Sequence, residues 1–164
     1  MEYMLWRFSS GFLLSLPVLL LGSVGTATAQ PPSTEPPLRE RTALAESFVA
    51  ERLSVWQERL DLKEWKISVV LSRATELKPK TLGNIHWDLD RKTAVIRVLD
   101  PADYRLPFKE MLQDMEFTVV HELIHLGLAP VLSDLQRSDA NRRDEEHTVN
   151  HLADAFLKLD REAK

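Results

Sequence analysis

From Phe117 to Leu128 the chain reads Phe-Thr-Val-Val-His-Glu-Leu-Ile-His-Leu-Gly-Leu, apolar around nearly the whole circumference of a helix yet carrying three ionisable side chains at its centre. A helix that is apolar all round is a buried one. The fold must therefore pack other elements about this segment, and it must find partners for His121, Glu122 and His125, because unpaired polar and charged groups are costly to bury. A metal ion supplies that compensation. Residues four apart share a helix face, so His121 and His125 can aim two imidazole nitrogens at one point. Zinc takes neutral imidazole at about 2.0–2.1 Å, and a catalytic site uses three protein ligands and leaves the fourth position to water. Glu122 follows the first candidate ligand directly and is placed to take that water's proton as general base and deliver it to a leaving amine. The pattern His-Glu-x-x-His thus points to hydrolysis, of a peptide bond first of all. The plainer alternative makes His121 and His125 hydrogen-bonded helix histidines and Glu122 a solvated charge.

A third ligand is needed. The long metzincin form of the motif would put Gly at position 128 and His at position 131, where this chain has Leu128 and Val131, so the ligand should come from another segment. The next helical stretch, 141–157, has an apolar face through Val149, Leu152, Ala153 and Phe156. At 100° per residue, Glu145 and Glu146 both fall within roughly 60° of Val149, and periodicity does not choose between them. Acidic residues in a first helical turn also favour the helix dipole without any metal. His147 and His151 form another i,i+4 pair but lie roughly 160° from Val149, so they read as solvated surface histidines, with an adventitious metal site as the alternative.

His121-Glu122-Leu123-Ile124-His125, followed by Glu146-x-x-x-Asn150 in an apolar helix, resembles the gluzincin metallopeptidases, and the small size resembles the minigluzincins within them. The resemblance covers roughly residues 65–160 and implies a zinc site with His121, His125 and Glu146 as ligands, Glu145 in reserve, and Glu122 as catalytic base. Where larger gluzincins commonly carry Asp, this chain has Asn150, whose side-chain oxygen can still orient a ligating histidine. By the same resemblance the Asn84–Trp87 region is a candidate edge for an extended peptide substrate. His86 within it reads as merely exposed. Tyr104 could donate to an oxyanion near the metal, and the simpler role is packing against the loop before Pro107.

The remaining sequence sets the frame. Met1 to Ala29 has Arg7 before an apolar run and Ala27-Thr28-Ala29 as a small-residue cleavage site, so it reads as a secretory signal peptide and implies a secreted or periplasmic product. Retention of that segment as a membrane anchor is the alternative. Residues 30–39 form a proline-rich linker, and 40–164 a folded domain. There is no cysteine, hence no disulfide, and a net charge of −4 with mixed signs offers no footprint for nucleic acid. The partners this leaves are a peptide or protein substrate, acted on by a monomer.

Leu44, Phe48, Val49, Leu53, Trp56 and Leu60 recur at helical spacing and predict a long helix from about Leu38 to Leu62. Strands are predicted at 65–71, 81–87 and 93–98, with Asp88 to Lys92 turning the second into the third. Pro107 suits the first turn of the motif-bearing helix, and Pro130 helps end it. The expected fold is α+β: a small zincin-like domain with a long N-terminal helix, a three-stranded mostly antiparallel sheet, an active-site helix and a C-terminal glutamate helix. A zinc-stabilised binding or structural module without turnover is the rival to a peptidase on this same scaffold.

Overall fold

The computed structural model describes residues 35–133 and 138–163, so the signal segment, its cleavage site and most of the proline-rich linker lie outside the described residues. In chain order the elements are α1 (Leu38–Arg59), β1 (Lys66–Ser72), β2 (Gly83–Asp88), β3 (Thr93–Leu99), a short 3-10 turn (Pro101–Asp103), α2 (Phe108–Leu132) and α3 (Asp139–Glu162). The architecture is α+β, with α1 and α2 packed on a mixed three-stranded sheet and α3 packed on α2.

α1 buries Ala45, Val49, Arg52, Leu53 and Trp56, a stripe spaced by three and four residues that meets α2. Leu44, one of the residues at the predicted helical spacing, is 43% exposed, because the buried stripe passes through its smaller neighbour Ala45. Strand order is β1-β3-β2, with β3 central. Ala94, Ile96 and Val98 on β3 are buried, and they share their face with Ile67, Val69 and Leu71 of β1 and with Ile85 and Trp87 of β2.

The β2–β3 hairpin forms as expected, antiparallel, with Asp88 Oδ1 accepting from the Arg91 N–H at 3.0 Å and Lys92 in the left-handed region at φ 51°. β1, however, pairs with β3 in parallel, so the sheet is mixed and the mostly antiparallel expectation is corrected. The cause is the long 73–92 connection, which carries β2 to the far side of β3 and frees β1 to run alongside β3 in the same direction.

α2 is enclosed along the motif: every residue from Thr118 to Leu126 is buried. It touches α1, α3, β2 and β3, and the buried flank explains why a helix apolar and long enough to cross a membrane serves here as the core. Its first turn follows Pro107, and the Phe108 N–H donates to both carboxylate oxygens of Glu35 at 3.0 and 3.1 Å. Pro130 does not end the helix, which continues to Leu132. A proline one turn from the end forfeits a single backbone bond, to the Leu126 carbonyl, and the Ser133 N–H still reaches the Ala129 carbonyl at 3.0 Å.

Candidate metal centre

α2 and α3 cross at the motif, and the crossing draws the candidate residues together. His121 and His125 are 4% and 8% exposed, one turn apart, with their Nε2 atoms 3.1 Å from each other. Glu146 of α3 faces both rings: Oε2 lies 3.4 Å from His121 Nε2, and Oε1 lies 3.6 Å from His125 Nε2. A single ion bonded at about 2.0–2.1 Å to three tetrahedrally placed donors would separate those donors by about 3.3–3.4 Å. The observed spacings bracket that value. The donor set, two imidazoles and a carboxylate, suits a borderline divalent cation such as zinc.

The other ring nitrogens are also occupied. His121 Nδ1 lies 3.1 Å from the Asn150 side-chain oxygen, and His125 Nδ1 lies 2.9 Å from Glu145 Oε1. Oxygen acceptors at both Nδ1 positions hold the proton there, so each Nε2 keeps its lone pair directed at the common point. The Asn150 side-chain oxygen is placed where it can orient the His121 ring. Glu145 does not join the converging group, because one residue along a helix is a rotation of about 100°, enough to aim neighbouring carboxylates at different atoms. Nothing in the periodicity of the chain separates the two glutamates, since both lie near the buried face.

Glu122 is 7% exposed. Burial raises its carboxyl above the ordinary value; positive charge on His121 and His125 opposes this, Glu146 adds to it, and Lys78 opposes it more weakly. Contact with the two histidines holds the Glu146 carboxyl well below the usual carboxylate range. At His125 burial disfavours the charged ring, but Glu146, Glu122 and Glu145 together outweigh it and raise the imidazole's value. These shifts all arise from buried or half-buried acidic and basic side chains brought into contact, three of which, His121, His125 and Glu146, could also hold a metal ion.

The chain matches no family model, no curated protein and no solved structure. The arrangement of its own side chains therefore carries the functional reading.

One contributor escaped the sequence. A Cβ built on Gly83, the first residue of β2, would collide with the Thr118 methyl group, would stand 2.6 Å from the Arg97 carbonyl oxygen and would lie 3.7 Å from Glu122 Oε1. Glycine lets β2 lie directly against α2 beside Glu122. The Leu99 N–H donates to the Leu82 carbonyl at 2.8 Å, which in this register makes Asn84–Arg97 and His86–Val95 the hydrogen-bonded pairs. The backbone groups of Gly83, Ile85 and Trp87 consequently point away from β3, along a sheet edge that no other described strand pairs.

His86 is exposed and joins no metal-ligand cluster among the described residues, and Ile85 and Trp87 pack on the core. The Tyr104 hydroxyl donates to Asp114 Oδ2 at 3.0 Å, and Asp114 precedes His121 by two turns, about 10.5 Å along the axis. Tyr104 thus serves Asp114. His147 and His151 lie on the exposed side of α3. A hollow at the far ends of α1 and α3, lined by Trp56, Leu60 and Phe156 among others, includes none of the clustered residues.

Proposed function

We propose that this chain is an exported, zinc-dependent metallopeptidase of gluzincin-like, zincin-type design, with His121, His125 and Glu146 as ligands and Glu122 as general base. The observation that carries it is the convergence of the two Nε2 atoms and the Glu146 carboxylate at spacings of 3.1 to 3.6 Å, beside a buried glutamate. A zinc ion held there would act as a Lewis acid towards a peptide carbonyl and lower the pKa of a water molecule.

The remaining work falls to the chain. Glu122, raised by burial, accepts a proton from the attacking water as the water oxygen bonds to the carbonyl carbon. It then returns that proton to the amide nitrogen as the C–N bond breaks. Asn150 and Glu145 hold both imidazoles in the tautomer that presents Nε2. The outward backbone groups of Gly83, Ile85 and Trp87 can add an extended peptide as a further strand next to Glu122, which orients the scissile bond without regard to side-chain identity. The side chain of Glu146 is 49% exposed and forms the solvent-facing side of the cluster, through which substrate would approach. The Met1–Ala29 leader supports export.

Glu122→Gln is the deciding variant. A peptidase loses hydrolysis of a peptide library by about a hundredfold or more while its zinc content is unchanged. A zinc-stabilised structural module would show equal, chelator-insensitive background with either residue, and that result would remove the enzymatic reading.

A further inference from the structure

α3 carries a second histidine pair that the proposed active site does not use. His147 and His151 are both exposed, one turn apart, and their Nε2 atoms converge to 3.1 Å with ring centroids 4.3 Å apart and planes at 82°. The buried pair has nearly the same geometry, 3.1 Å between Nε2 atoms, 4.7 Å between centroids and 70° between planes. At about 2.0–2.1 Å to each nitrogen, one cation would set the two Nε2 atoms about 2.9 Å apart with a right-angled bite and about 3.3–3.4 Å apart with a tetrahedral one. The exposed pair falls between those values.

We propose that His147 and His151 form a second, peripheral site for a borderline divalent cation, zinc first of all, with water completing its coordination. Unlike the buried pair, these rings have no packing to hold them. Two neutral imidazoles can share one N–H···N bond across the gap, but a solvent-exposed bond of that kind gains little against the rotamer freedom of both side chains. A cation bonding both nitrogens would use this convergence directly and would gain more than the shared hydrogen bond. Asp144 and Asp154, one turn before and after the pair on the same stripe of α3, add negative charge that favours a cation there. The clasp would span the turn that contains Asn150 and directly follows Glu146, so its occupancy would stiffen the part of α3 that addresses the buried histidines.

The test counts zinc on the full chain by equilibrium dialysis with metal analysis, comparing wild type, H147Q/H151Q, H121Q/H125Q and the quadruple variant. The exposed substitutions leave the core untouched, so a folding failure does not blur the first comparison. H147Q/H151Q is expected to bind one ion fewer than wild type. H121Q/H125Q is expected to retain an ion, and a zinc-dependent rise in Tm, that the quadruple variant lacks. Equal zinc content in wild type and H147Q/H151Q overturns the peripheral site. Loss confined to H121Q/H125Q supports the buried site and overturns the peripheral one, and loss confined to H147Q/H151Q does the reverse, so the two ideas fail separately.

Discussion

At the residue scale, adjacent glutamates on α3 take different jobs. Glu146 faces both Nε2 atoms, whereas Glu145 accepts from His125 Nδ1 at 2.9 Å. Glu145→Ala and Asn150→Ala should each weaken zinc binding by about 10- to 100-fold in a chelator-competition assay, since an orienting acceptor is lost and the ligand is kept. Glu146→Ala should cost more than either; if Glu145→Ala costs the most, the two roles are exchanged. Asp114 gives a pH prediction. Burial raises its carboxyl above the ordinary value, with the Tyr104 hydrogen bond opposing. A raised carboxyl contributes stability that is present below the unfolded value and lost as pH rises through the folded one, so the buried charge is a net cost near neutrality. Asp114→Asn keeps an acceptor for Tyr104 and should raise Tm by a few degrees at about pH 7, with little change at about pH 3. Equal shifts at both pH values in thermal unfolding would refute burial as the cause.

At the element scale, the contact of β2 with α2 rests on a missing side chain. Gly83→Ala must push β2 off Thr118 or shift the Arg97 carbonyl. The expected penalty is about 1–3 kcal/mol in urea unfolding, accompanied by loss of peptide hydrolysis because the edge beside Glu122 moves. A fully active, fully stable Gly83→Ala protein would show that β2 is not part of the site. The helix carrying the motif, the hairpin and the α3 helix were all legible from periodicity and turn chemistry. The parallel pairing of β1 was not: strands 66–72 and 93–99 present the same alternation whichever way they run relative to each other, and only the path of the 73–92 connection sets their direction.

At the scale of the whole molecule, a charge network ties the three helices together. Arg52 of α1 pairs with Glu116 of α2 and, at 3.2 Å, with Asp160 of α3, while the Trp56 indole N–H donates to Glu116 at 2.9 Å and Arg59 reaches Asp160 at 2.5 Å. The Arg52 and Asp160 side chains are 9% and 5% exposed, so removing the guanidinium takes away a buried charge that two largely buried carboxylates share, leaving Asp160 to Arg59 and Glu116 to the Trp56 indole. Arg52→Ala is expected to cost about 3–5 kcal/mol by chemical denaturation. A loss under about 1 kcal/mol would reduce the network to an ordinary surface ion pair. The local string determined that His121 and His125 share a face, that Glu122 adjoins them, and that their helix is buried, because helical spacing and apolar periodicity act within a few residues. Choosing Glu146 over Glu145, seating Glu122 against Gly83, and burying Arg52 between Glu116 and Asp160 were left to tertiary structure. Each depends on the angle and height at which one element crosses another, and that geometry is set by packing over the whole core rather than by neighbouring residues.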